Sequence, residues 1–345
     1  MTGIRHIWMV LAGCFLGVSC SLIDEDMSDC GKDYTLDYEL RLVTNMTTEI
    51  KTELSLDTEI SVAKALEAYL GEIFTDFAHD VDLSFYDVEG DSVSLHHEKH
   101  VMDASQSSYT LYIPVREYMH VAVANVEKNG DVALEKDEKC HTSALTQFDQ
   151  DTIASHRTGL YSARLPMDIR EGKDQEFDVK LYMANCASAL VLDTLGSGIR
   201  DIKVFASGFA TSFSLADSTY RFAHSPIVKA DKVPVQDDPD AMLCFAAVTF
   251  PSQDVKGTKV RIDTDDEDVT VEAEEALWNF RVYTLLSDGS VTETIMGVKV
   301  PLRPGRLKVV KGIILDDGSC VSCVPYVGAS VTLQWNEMPE WNVDV

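Results

Sequence analysis

Two cysteines near the start of the chain, Cys14 and Cys20, have the most specific chemistry. Each ends an apolar stretch that follows a lone Arg5, in the small-residue zone where a secretion signal is cut. A thiol directly after such a cut can take a diacylglycerol group, and the amine that cutting frees can take a further acyl chain. Leu11-Ala12-Gly13 before Cys14 is the better local match to a lipobox, but cutting there leaves an apolar core of only about seven residues. Leu16-Gly17-Val18-Ser19 before Cys20 is the poorer match, yet it gives a longer core and leaves Ser21 to Asp26 as a polar leader. Cys20 is therefore the expected acyl site and Cys14 the alternative. The run Ile7 to Val18 is too short to cross a bilayer comfortably. Acyl chains, at about 0.8 kcal/mol per buried CH₂, would hold the chain on a membrane surface instead.

Other chemistry is weaker. Cys320 and Cys323 have redox-motif spacing, but they follow the turn Asp316-Asp317-Gly318-Ser319 rather than opening a helix after a strand, so structural cysteines beside a hairpin are expected. The remaining mature cysteines, Cys30, Cys140, Cys186 and Cys244, lie in a chain much longer than typical disulfide scaffolds. His96, Glu98 and His100 would share one face of a strand, but Lys99 and the polar surroundings favour an exposed edge over a metal site. The run Asp263-Thr-Asp-Asp-Glu-Asp268 lacks the glycine and spaced glutamate of a calcium loop and reads as a solvated turn. Glu274 and Glu275 are adjacent, so on a strand they would face opposite ways and make a poor acid and nucleophile pair. With no G-x-S-x-G, H-E-x-x-H or Walker pattern either, the expectation is no enzyme, no catalytic residue, no metal and no cofactor.

Charge narrows the partners. Lys+Arg number 29 against 57 Asp+Glu, a net charge of -28, which repels nucleic acid and anionic headgroups. The 345 residues, 45% hydrophobic, suffice for two packed units.

The elements are mostly strands. Tyr34, Leu36, Tyr38, Leu40 and Leu42 alternate with polar residues and predict a strand over Tyr34–Val43. Val62, Leu66, Tyr69, Leu70, Ile73 and Phe77 predict one helix, with Asp57 or Thr58 as its cap. Short strands follow at Val81–Phe85, Tyr109–Ile113 and Val121–Val126. Apolar density falls between Thr142 and Gly172, and Arg170-Glu171-Gly172-Lys173 suggests a boundary near Glu171. Beyond it come strands at Phe177–Met183, Ala189–Leu192, Ile202–Ala206, Met242–Phe245, Lys259–Ile262, Trp278–Leu286 and Val298–Val300, with Ser287-Asp288-Gly289-Ser290 closing a hairpin. Ser330 to Trp335 alternates again, as do Trp341, Val343 and Val345 after Pro339. The expected fold is mainly β, with antiparallel β-sandwiches and one helix in the first.

The opening Cys20-Ser-Leu-Ile-Asp-Glu-Asp-Met-Ser-Asp-Cys30 and the closing Tyr326-Val-Gly-Ala-Ser-Val-Thr-Leu-Gln-Trp335 resemble the two ends of the FimB/Mfa-type anchor and tip subunits of the Bacteroidetes fimbrillin superfamily. Those chains start C-S-L-I-x-E/D-D-x-S-D-C and finish in a V-G-x-S-V-x-L-x-W strand. One departure is Gly31-Lys32, where the family usually has proline after the second cysteine. The resemblance supports Cys20 over Cys14. It implies a signal over 1–19, a lipidated tether over 20–33 and two tandem transthyretin-like sandwiches over 34–170 and 171–345. It also implies a minor subunit of a type V fimbria, lipid-anchored in the outer membrane and exposed on the surface, that anchors or caps the fibre by β-strand complementation. The partners it implies are stalk or other minor subunits, with a host or bacterial surface ligand as a further class.

In the stalk subunits of such fibres a protease cuts after an early arginine and removes the first strand. Here that arginine is Arg41, expected to be buried within the alternating strand and so a poor site. The chain is thus expected to keep its first strand. The carboxyl end, with Trp335, Trp341, Val343 and Val345, either closes this protein's own sandwich or contacts a partner. An alternative function is a surface glycan-binding lipoprotein that stacks sugars on Trp335 or Trp341.

Overall fold

The computed structural model describes residues 36–332 apart from 45, 55–59, 76, 89–94, 102–107, 112, 138–139, 141–142, 149, 195–197, 236–241 and 255–273. The alternating stretch forms β1 (Leu36–Val43), which buries Leu36, Tyr38 and Leu40 and leaves Asp37 and Arg41 in solvent. Two helices follow among the described residues, where one was expected: α1 (Met46–Glu53) and α2 (Ile60–Ile73). The first escapes a periodicity test because MTTEIKTE offers only Met46 and Ile50 as apolar residues. Both are buried, so packing rather than local pattern holds that helix. The second buries the stripe Val62, Leu66, Leu70 and Ile73. Tyr69 is half-buried and donates its hydroxyl to Asp231 at 2.7 Å, while Phe77 lies beyond the helix and is exposed. Asp57 and Thr58 lie outside the described residues.

The chain continues with β2 (Asp80–Asp87), β3 (Leu95–Val101), β4 (Ser108–Thr110), β5 (Glu117–Ala124), β6 (Val132–Glu135), β7 (Ala144–Gln147), β8 (Thr152–Ala154), β9 (Tyr161–Asp168) and β10 (Gln175–Met183). Seven of these strands form one sheet in the order β3-β2-β5-β9-β10-β1-β4. Tyr38 on β1 bonds His120 on β5 at 2.7 Å although β9 and β10 lie between their strands in that order. The sheet therefore folds over on itself and encloses a core of Leu36, Tyr38, Leu83, Phe85, Val179 and Leu181, with the apolar faces of both helices.

The second half supplies β11 (Cys186–Thr194), β12 (Ile199–Ser207), β13 (Ser212–Ser214), β14 (Thr219–Arg221), β15 (Ile227–Lys229), β16 (Asp231–Val233) and β17 (Leu243–Thr249). It ends with β18 (Trp278–Leu286), β19 (Val291–Val298), β20 (Leu307–Ile314), β21 (Cys320–Ser322) and β22 (Val327–Thr332). A five-stranded sheet, β16-β17-β11-β20-β21, packs on a six-stranded sheet, β22-β19-β18-β12-β15-β8. Leu190, Leu192, Phe245 and Val310 meet Phe280, Val282 and Met296 between them. The opposite face of the five-stranded sheet gives Ala187, Ala189, Val191, Val248, Leu307 and Val309 to the first core. With both faces covered, β11 reads CASALVL without alternation. A small sheet, β14-β13-β7-β6, completes the fold, which is mainly β as expected.

Two expectations need correction. The sheets are mixed rather than antiparallel: β1 runs parallel to β10, β11 to β20 and β15 to β8. A period of two fixes which side chains go inward but says nothing about the direction of a neighbouring strand. The helix count is two among the described residues, for the reason given above. The low-apolar stretch from Thr142 to Gly172 contains β7, β8 and β9. Glu171, the expected boundary, falls in the β9–β10 turn, where Gly172 has φ 64. Polar, glycine-bearing composition marks an exposed turn as readily as a linker. The halves also interleave, since β7 pairs with β13 and β8 with β15.

Candidate functional site: strand edges

The small-chemistry candidates do not assemble. Glu274 and Glu275 are both exposed just before β18, and Trp278 is buried with its indole N–H donated to Val300 O at 2.9 Å. Cys320 and Cys323 are both free, on and just after β21 of the β20–β21 hairpin, whose turn Gly318 permits at φ 78. Burial pushes the Cys320 thiol up to about 11, the opposite of an activated thiol. His96, Glu98 and His100 occupy alternate positions on β3, an edge strand, opposite Phe85, Leu83 and Val81. Among the described residues no cluster of His, Cys, Asp or Glu could hold a metal. Cys14, Cys20, Cys30, the 263–268 run, Trp335, Trp341, Val343 and Val345 lie outside the described residues.

What the fold presents instead is a set of sheet edges, and each is handled differently. β1 is no edge. It pairs with β10 over eight residues, from Leu36↔Gln175 to Val43↔Tyr182, and with β4 at Asp37, Tyr38 and Glu39. Arg41 sits within that ladder opposite Lys180. The expectation that Arg41 is buried is corrected: its side chain is 57% exposed and ion-paired to Glu39 at 3.2 Å and Asp178 at 3.6 Å. Alternation sends an odd-numbered residue of this strand outward. A protease would be hindered by the paired backbone, not by a buried side chain.

β20 pairs with β11 on one side, and on the other β21 covers only Gly312 to Ile314. Helix α1 closes the rest. Glu49 accepts from Arg306 Nη1 at 2.7 Å and from the Leu307 amide at 3.3 Å. Glu53 accepts from Lys308 Nζ at 2.6 Å and from the Val309 amide at 3.1 Å. One helical turn advances about 6 Å over four residues and a strand about 6.6 Å over two, so the glutamates match alternate edge amides. Their carboxylates stand where a neighbouring strand's carbonyls would be. Nothing local in the sequence signals this, because the partners are more than 250 residues apart.

β22 is left open. It ends the six-stranded sheet, pairs among the described residues only with β19, and has Gly328, Ala329, Ser330 and Val331 exposed. Val327-Gly-Ala-Ser-Val-Thr332 holds no charge and no proline, the residues that usually blunt an edge. Its far end leads straight into residues 333–345. An exposed, uncharged edge can add an extended segment through main-chain hydrogen bonds.

The chain matches one family model and is similar to several solved structures. The model of the family described as fimbrillin-A associated anchor proteins Mfa1 and Mfa2 matches residues 29–228. The fold is similar to the fimbrial anchor protein Mfa2 of Porphyromonas gingivalis, at 11% identity and TM-score 0.45, covering 87% of this chain and 98% of that one. It is also similar to a candidate adhesin of Bacteroides ovatus, at 9% identity and TM-score 0.48, covering 88% and 97%. A third similar structure is a candidate polysaccharide-binding protein of Bacteroides thetaiotaomicron, at 10% identity and TM-score 0.47, covering 86% and 98%. None of the curated proteins matches the chain.

Proposed function

The chain belongs to the family of fimbrillin-A associated anchor proteins Mfa1 and Mfa2, a family of anchors and not of enzymes, and we propose that it is a lipid-anchored minor subunit of a fimbria. In this reading Cys20, with Cys14 as the alternative, carries the acyl chains, and residues 21–33 tether the folded part to the outer membrane. The subunit holds or caps the fibre by pairing with an extended segment of a stalk or other minor subunit.

The observation that carries the reading is the contrast between the two ends of the chain. β1 is zipped to β10 along its whole length and buries Leu36, Tyr38 and Leu40, each worth about 1.5–3 kcal/mol. Its removal would cost the first core, which supports a subunit that keeps its first strand. β22, in contrast, offers an unblunted edge beside a carboxyl-terminal segment with Trp335, Trp341, Val343 and Val345.

Deleting Asn336 to Val345 tests the proposal. The expected outcome is a truncated protein with unchanged cooperative melting that no longer retains fibre subunits in a pull-down from native membranes. A truncated protein that unfolds would show that the segment closes this chain's own sandwich. One that folds and still retains fibre subunits would overturn the role of the segment.

A further inference from the structure

β9 and β10 are consecutive and antiparallel, yet they pair only at Tyr161↔Met183 and Ser162↔Tyr182. Beyond that point the strands diverge, because β9 stays with β5 and β10 stays with β1 as the sheet folds over. At the far end the Gln175 side chain bridges them, accepting from the Arg170 amide at 2.7 Å and donating to Asp168 O at 2.8 Å. The result is a slot closed at both ends, with a volume of about 420 Å³, inside the size range of small-ligand sites. Ser162, Arg164, Asp178, Lys180, Tyr182 and Ser218 supply its polar lining.

Three features of this slot point to a ligand. Arg164 and Lys180 face it without an acidic partner among the described residues, in a chain whose net charge is -28. Asp178, the carboxylate of the lining, is shared with Arg41 at 3.6 Å, so the slot is cationic. Ser218 contributes from the β13–β14 turn with φ 55, a left-handed backbone that serine adopts at a cost, and such strain collects at binding sites. Ser162, Ser218 and Tyr182, each bearing a hydroxyl, line the same slot.

We infer that this slot binds a carboxylated monosaccharide unit, such as a uronic acid, with Arg164 and Lys180 on the carboxylate. The guanidinium offers paired donors to a carboxylate and the ammonium a point charge. The hydroxyls and the main-chain groups that β9 and β10 leave unpaired along the slot meet the sugar's hydroxyls. Closure at both ends excludes a strand running through. The acidic surface disfavours a polyanion, since only the charge inside the slot is attractive. A single compact acid satisfies both limits.

The test is ligand-observed nuclear magnetic resonance and calorimetry with glucuronic acid, glucose and a glutamate-rich peptide, on the folded protein and three variants. Glucuronic acid is expected to bind and glucose to bind at least tenfold more weakly. Arg164→Ala and Lys180→Ala are expected each to lose tenfold or more in affinity with unchanged melting, while Lys173→Ala in the neighbouring turn loses none. Equal binding of glucose, stronger binding of the peptide, no binding of glucuronic acid, or full affinity in Arg164→Ala would each overturn the assignment.

Discussion

The Tyr38 hydroxyl lies 2.7 Å from His120 Nε2, joining two strands that the order of the sheet places apart. His120 Nδ1 donates to Ser84 O at 3.1 Å, so the ring is neutral with its other nitrogen accepting from the tyrosine. Phe85 stacks on the imidazole with ring centres 4.3 Å apart. Burial lowers the pKa of His120 to about 4 and that of His156, enclosed by the Gln147 and Asn185 amides, to about 3.

These two histidines predict loss of stability in mild acid. The unfolded imidazoles take up protons near pH 6.5, while the folded ones resist until about 4 and about 3. More protons are bound by the unfolded state in that window, so stability is complete above pH 6.5 and falls as pH drops below it. Each group contributes a slope of about 1.4 kcal/mol per pH unit. Denaturant midpoints between pH 7 and 4 should fall steadily, and His156→Gln should flatten the profile. A flat profile in the unaltered protein would show that these rings are not buried neutral.

Tyr38→Phe should cost about 1–3 kcal/mol, because it leaves His120 Nε2 as a buried acceptor without a donor. Chemical denaturation measures it. The loss should exceed that of Tyr69→Phe, whose hydroxyl bonds the exposed Asp231.

Replacing both glutamates of α1 with alanine should uncover the β20 edge. Amide hydrogen exchange at Leu307 and Val309 should accelerate by at least tenfold, while exchange across the β11–β17 ladder stays slow. The double variant should also self-associate more readily, since an open edge recruits strands. Unchanged exchange at both amides would remove α1 from the role of edge cover.

Gly208→Ala should be strongly destabilising, by more than about 2 kcal/mol. Gly208 has φ 100, and a Cβ there would lie 2.6 Å from Trp278 Cα and 2.8 Å from Leu277 O. A thermal melt close to that of the parent would contradict this close approach.

Much of the fold was legible where side chains alternate cleanly. The first strand, described over Leu36–Val43, the stripe Val62, Leu66, Leu70 and Ile73, and the hairpin at Ser287–Ser290 all appear, the last with Gly289 at φ 87. β19 was hidden because its inward positions include Thr292 and Thr294, which hydrogen-bond within the hairpin region instead of presenting an apolar face. β20 was hidden because Leu-Lys-Val-Val-Lys-Gly-Ile-Ile is buried on two sides and breaks the alternation. Strand direction, the folding over of the first sheet and the glutamate cover on β20 depend on contacts between distant residues, on which no local pattern bears. The β9–β10 slot arises from the same folding over, so no local pattern marks Arg164 and Lys180.

Val331→Lys separates the open edge from the core. Val331 is 49% exposed on the end strand, so melting should shift little, while a charge on the edge should abolish retention of fibre subunits. Retention at the parental level would mean that partners dock elsewhere.

The most direct measurement is the intact mass and amino-terminal peptide of the protein recovered from native outer membranes. A retained first strand on a lipid anchor predicts a chain that begins at acylated Cys20 and contains Leu36 to Val43. A chain that begins after Val43, or one whose first residue carries no acyl group, would contradict it.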